Sequence, residues 1–261
     1  MKPIARYFKQ MCASRYEKLG FAQHKAAFAR VRGDVVQAFN CKRDPAGDPY
    51  CTVAFSVVPL CLPQPVYLDD NLYEMNHFFT NRIRTYGWSF DPASNDSKVQ
   101  CVEILAENVD KYVLPLFERC NNCGETLTEL IQLEELFERN RLEFLRKEGR
   151  EDRAKHWEGE KLFDHQKYYL ALGSGNVAYA KKYLDFHIKY EKELLEHFLS
   201  PDTPRRPAHI IESCEEPLAR YLEDRERLER GIENFDEILR SNEEKMREYL
   251  LGMFPKIQLE G

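Results

Sequence analysis

No apolar run in this chain approaches the roughly 18 residues a membrane helix requires. The opening stretch MKPIARYFKQMCASRYEKLG also lacks the apolar core of a secretory signal. A cytoplasmic protein with no membrane partner is expected. Glycine is scarce, 12 in 261 residues, and no phosphate-cradling loop, dinucleotide fingerprint or G-x-S-x-G elbow can be read. Gly173-Ser174-Gly175 follows a helical pattern, so the strand that such loops need is absent and nucleotide enzymes are disfavoured. Positive charge is not in excess either: 38 Lys and Arg against 44 Asp and Glu leave −6, which argues against nucleic acid as the main partner.

What is present suffices for a substantial core, with 43% hydrophobic and 12% aromatic residues. Composition changes mid-chain. Residues 1–120 carry 15 basic and 13 acidic side chains, whereas the remainder carries 23 and 31, or −8. Six of the eight cysteines precede that point, together with many Val, Phe and Pro; Leu, Glu, Arg and Lys at helical spacing follow it. The expected organisation is an α+β domain over 1–122, an antiparallel sheet with flanking helices, and an all-α helical bundle over 123–261. Without an export signal the cysteines are expected to be free thiols.

In the first region, apolar residues recur at helical period from Ile4 to Leu19, and Gly20 stands at the C-cap position. Alternation around Phe28, the turn Gly33-Asp34 and the runs Val35–Cys41 and Tyr50–Leu60 predict a strand meander, with Val53, Phe55 and Val57 on one face. A short helix at Leu72–Thr80, a strand at Arg82–Phe90 and a helix from about Lys98 to Arg119 should complete it, the first and last helices covering one sheet face. The initial helix, Gly20-Phe21, the strand about Phe28, Gly33-Asp34, Val35-Val36-Gln37, Phe39-Asn40, Thr52–Val58, Arg82, Trp88 and Leu114-Pro115 together resemble a bacterial family catalogued as domain of unknown function 4304. The resemblance spans about residues 1–120. It implies fold continuity within bacteria and brings no activity or catalytic residues with it.

In the second region, Leu127, Leu130, Leu133, Phe137 and Phe144 mark one helix, with Asn122 or Thr126 as its cap. Helices over 152–172 and 176–199, joined by the glycine turn, should be antiparallel neighbours. That pair is similar to a single tetratricopeptide-type hairpin, in Leu172-Gly173, Gly175-Asn176 and Ala180. Tyr179, Tyr183, Phe186 and Tyr190 form a second aromatic face on the later helix. From Cys214 to Met253 apolar positions alternate spacings of 3 and 4 without a slip, the seam of a long C-terminal helix. This seam packs either within a four-helix bundle or against a second copy as a homodimer. Arg225 and Asn242 interrupt it and should meet polar partners or lie at an open end.

Cys120-Asn-Asn-Cys123 is the one familiar ligand spacing, half of a structural zinc site at most, since no second pair accompanies it. Bland packing at the junction is the competing reading. His156 with Glu160, His165 with Tyr169 and His187 with Glu191 stand four apart, but the Glu-x-x-His spacing of bundle metal sites is missing, so solvated polar faces are expected. No cofactor is called for. The reading that follows is a non-catalytic bacterial interaction protein of uncharacterised role, presenting an acidic helical surface to a protein partner through Tyr179, Tyr183, Phe186 and Tyr190. The alternatives are a metal- or thiol-dependent enzyme using Cys120 and Cys123 at the domain junction, and nucleic-acid binding by Arg30, Arg32, Lys42, Arg43, Arg82 and Arg84 on an exposed sheet face.

Overall fold

The computed structural model describes residues 4–43, 50–63, 88–89, 91, 93–149, 165–200 and 208–259. The expected helix at Leu72–Thr80, Arg82, Arg84, Phe90, His156 and Glu160 lie outside them. The chain has the expected α+β character and divides into two compact units, one of residues 1–130 with 241–261, the other of residues 131–240. No helix among the described residues is long and apolar enough to cross a membrane.

The first unit holds a five-stranded antiparallel sheet in sequential order: β1 (Ala22–His24), β2 (Ala27–Arg32), β3 (Val35–Arg43), β4 (Tyr50–Pro59) and the two-residue β5 (Trp88–Ser89). The pairing Phe28↔Phe39↔Phe55 aligns large rings on one face, and Ala29↔Ala38↔Ser56 aligns small side chains on the other. Helices α1 (Ile4–Glu17) and α2 (Asn95–Asn108) lie on the aromatic face. There Phe8, Tyr16 and Phe21 pack on Phe28 and Phe39 in edge-on and stacked pairs at 4.8–6.5 Å.

Ser94 caps α2 by accepting from the Ser97 N–H. The helix then widens into a π-turn, Val109–Val113, before the short α3 (Leu114–Phe117). Pro115 explains the widening. Its ring would crowd the carbonyl four residues back in a regular helix, and the turn lets the Leu114 N–H reach Val109 O instead.

The small-residue face is also covered, contrary to the one-sided cover expected. Met246, Leu250, Phe254 and Ile257, from the last 21 residues of the chain, pack on Ala27, Ala29, Val31, Val36, Ala38, Val58 and Leu60. Small side chains on the sheet leave room for the larger ones of the returning segment, and both faces become core. The expected division into 1–122 and 123–261 does not include this return.

In the second unit, α5 (His165–Gly173), α6 (Val177–Leu199) and α7 (Ala208–Arg230) run alternately up and down. The Gly173–Gly175 turn is as expected, with Gly175 at φ +71 and Asn176 accepting from the Tyr179 N–H to start α6. Asp185 meets Arg225 while His187 meets Tyr221, so α6 and α7 are antiparallel.

The long C-terminal helix is two helices. Gly231 takes φ +131, a 3-10 turn follows at Ile232–Phe235, and α8 spans Asp236–Met253. Cys214, Tyr221, Leu228 and Phe235 are buried in one unit, and Asn242 and Met246 in the other. Helix α7 begins at Ala208, and Ser213, one turn inside it, donates to Ile210 O. Both polar seam residues do find partners: Arg225 pairs with Asp185 and Glu229, and Asn242 Nδ2 donates to Cys61 O at 3.1 Å.

The helix α4 (Cys123–Lys147) opens at Asn122, whose Oδ1 accepts from the Glu125 N–H. Of its expected stripe, Leu127 and Leu130 are buried, whereas Phe144 is 57% exposed.

Candidate functional site

The aromatic residues of α6 separate by depth. Tyr183 is interior, 1% exposed, with its ring stacked on Tyr168 at 4.8 Å and its hydroxyl 3.0 Å from His165 Nδ1. His187, one turn on, is buried as well and rests on Tyr183 at 4.3 Å and Tyr221 at 4.9 Å. The solvated face expected of His187 is thus a core face. Tyr168 OH donates to Asp224 Oδ2 at 3.2 Å, and Asp224 also receives Arg227 at 3.1 Å.

This cluster binds α5, α6 and α7 together with aromatic area while its polar tips satisfy one another. Burial pulls the His165 pKa down to about 4, helped by the charges of Arg220 and His187, so the ring is neutral at pH 7. Burial likewise raises Tyr168, with the Asp224 charge adding to it, and burial raises Asp224. Protons are held in place here.

Tyr179, Phe186 and Tyr190 lie nearer the surface. Tyr179 and Phe186 are half-buried, and Tyr190 is 39% exposed and stacks on Phe186 at 6.4 Å. The four expected residues therefore do not form one surface: Tyr183 faces the core, and Phe186 and Tyr190 form a pair at the rim.

Beyond His187, none of the α6 residues from Ile188 to Leu199 is buried, although Tyr190, Leu194, Leu195, Phe198 and Leu199 are apolar. Leu199 is 63% exposed. The antiparallel run of α7 brings its first turns beside this end, and Ile210 and Ile211 there are half-buried too. Six carboxylates, Glu191, Glu193, Glu196, Glu212, Glu215 and Glu216, share these two stretches with two ammonium groups, Lys189 and Lys192. Partial burial raises the Glu191 pKa.

The thiols occupy different ground. Cys120 and Cys123 both lie in the first unit and both are buried. Cys120 is pushed up to about 12 by burial, with the Glu129 charge adding to it. Cys123 has Cys61 as its sulfur neighbour, which raises its pKa further than burial does, and its N–H donates to Asp34 Oδ1 at 2.7 Å. Gly33, in the same β2–β3 turn, has φ +53, and a Cβ there would fall 2.5 Å from Asn121 O. The pair at 120 and 123 thus serves a tight crossing of turn and helix start. Among the described residues, no three His, Cys, Asp or Glu side chains are placed to hold a metal ion.

Of the basic residues expected on a nucleic-acid platform, Arg30 is not on an open face. Arg30 is 4% exposed on the aromatic side, its guanidinium 4.5 Å above the Phe21 ring. It donates to Gln37 Oε1 at 2.7 Å, Leu19 O at 3.0 Å and Glu118 Oε1 at 2.7 Å, and Gln37 Nε2 in turn donates to Phe117 O and Cys120 O. The sequence signal for this was available in the alternation itself, which puts Arg30 in phase with Phe28.

Comparison with protein-family models, with curated proteins and with solved structures finds no match to this chain.

Proposed function

We propose that the protein is a bacterial cytoplasmic interaction protein, and that the open end of the α6–α7 hairpin docks a protein partner through a basic amphipathic segment. The observation that carries this reading is the unburied apolar run from Tyr190 to Leu199 with its acidic rim. A helix that buries one face along its first half, and along its second leaves its apolar side chains half-buried or exposed, offers area for another surface to cover. The carboxylates select a positively charged visitor and speed its arrival at low salt. Helix-in-groove recognition by apolar anchors one turn apart fits such an end. Phe186 and Tyr190 contribute to it, and Tyr183 supports it from within. None of the eight cysteines is joined in a disulfide, which is consistent with a reducing compartment.

The test is cross-linking in cells. Full-length protein with a photoreactive side chain at Tyr190 should yield an adduct to a second protein, at a peptide that is basic and amphipathic. Leu199→Glu should abolish the adduct, and raised salt should weaken it. An adduct formed solely with its own copies, or one indifferent to Leu199→Glu and salt, overturns the reading.

A further inference from the structure

Cys12 of α1, Cys41 of β3, Cys51 of β4 and Cys101 of α2 converge on the aromatic side of the sheet, and the other three all act electrostatically on Cys41. Cys41 stands opposite Val53 and Cys51 opposite Arg43, so the two are diagonal neighbours on one face of adjacent strands. Their Sγ atoms are 3.1 Å apart. Disulfide sulfurs stand at about 2.0 Å, so about 1 Å of further approach would complete a bond.

We propose that Cys41 and Cys51 are a disulfide-forming pair, joined across β3 and β4 when the protein meets hydrogen peroxide or another hydroperoxide. In the first step one sulfur attacks the peroxide O–O bond, takes one oxygen as a sulfenic acid and releases water from hydrogen peroxide, or the corresponding alcohol from an organic hydroperoxide. In the second, the other sulfur attacks the sulfenic sulfur, the S–S bond forms and a water leaves. Both thiol protons end in the released water or alcohol, and two electrons pass from the sulfur pair to the peroxide.

The register also gives the route of access. Arg43↔Cys51 is the last pair of the β3–β4 ladder, and on its other side Cys51 meets only the two-residue β5 at Trp88, so local opening there releases a short stretch of ladder at lower cost than unfolding the domain. The neighbouring Cys51 sulfur and burial together push Cys41 well above the ordinary thiol range, so reaction waits on that opening. The product would staple the two longest strands of the sheet, whose faces carry both cores of the first unit.

The experiment uses reduced full-length protein treated with hydrogen peroxide, then alkylated, digested and mapped by mass spectrometry. The expected result is the loss of two of the eight alkylatable thiols and a cross-linked Cys41–Cys51 peptide that dithiothreitol reverses. The oxidised protein should also unfold at higher temperature. Cys51→Ala should abolish the cross-link, whereas Cys214→Ala should leave it intact. If Cys51→Ala does not fold, the wild-type peptide map decides by itself. Retention of all thiols under conditions that oxidise a glutathione control, a cross-link at other cysteines such as Cys61–Cys123, or only sulfinic and sulfonic acids at Cys41 and Cys51 would overturn the proposal.

Discussion

At Arg30 two kinds of interaction can be weighed against each other. The ion pair with Glu118 is half in solvent, since the glutamate side chain is 63% exposed, and such pairs are worth about 1 kcal/mol or less. The bond to Gln37 is buried and that to Leu19 is partly buried, and removing their donor leaves the Gln37 acceptor unpaired in the core at about 1–3 kcal/mol and the Leu19 carbonyl at less. Arg30→Met should therefore lower unfolding stability by about 2–4 kcal/mol, while Glu118→Gln should cost less than about 1 kcal/mol. Urea titration of the two variants checks the order. His165 makes a second test. Its folded pKa of about 4 lies below its ordinary 6.5, so the unfolded chain binds more protons in that interval and stability must fall as pH falls through it. Between pH 7 and pH 5 the wild type should lose up to about 2 kcal/mol more than His165→Asn, read from denaturant midpoints at the two pH values.

Among the elements, the break between α7 and α8 shows how a periodic pattern can mislead. Spacings of 3 and 4 continue unbroken because both helices bury a stripe, but the stripes face different cores. Pro217 sits inside α7 without ending it, and Gly231, with φ +131 and ψ 147, does end it. That backbone is open to glycine and closed to side chains. Gly231→Ala should destabilise the protein by about 1–3 kcal/mol, measured by chemical unfolding, and a neutral result would mean that the seam tolerates a continuous helix. The meander, the first helix and the glycine turn at 173–175 were legible because their signals are local: alternation, helical period and turn residues. The burial of Tyr183 beside the exposure of Tyr190 was not, because a spacing of seven brings both to the same stripe. Their depth depends on where α5 and α7 stop covering α6.

For the whole molecule, the return of residues 241–261 is the decisive contact. Met246, Leu250, Phe254 and Ile257 cover a sheet face made of alanines and valines. Deleting 241–261 uncovers that face and should convert the first unit to an aggregating or loosely packed state, seen as dye binding and loss of the cooperative thermal transition. The same packing bears on dimerisation, since the later half of the seam is already engaged by its own chain. The docking end proposed on α6–α7 carries none of these burdens, and Leu199→Glu should leave stability within about 0.5 kcal/mol of wild type while removing partner contact.

Composition and spacing by themselves determined the α+β class, the antiparallel meander, the helical second half and the absence of a membrane-length run, since each follows from residues within a few positions of one another. Tertiary structure alone decided which segments cover the two sheet faces, that His187 is interior, and that Cys41 meets Cys51 while Cys123 meets Cys61 rather than Cys120. Those outcomes rest on contacts across long stretches of chain, such as Asn242 with Cys61 at a separation of 181 residues, and no periodicity along a chain encodes which distant stripe will satisfy it.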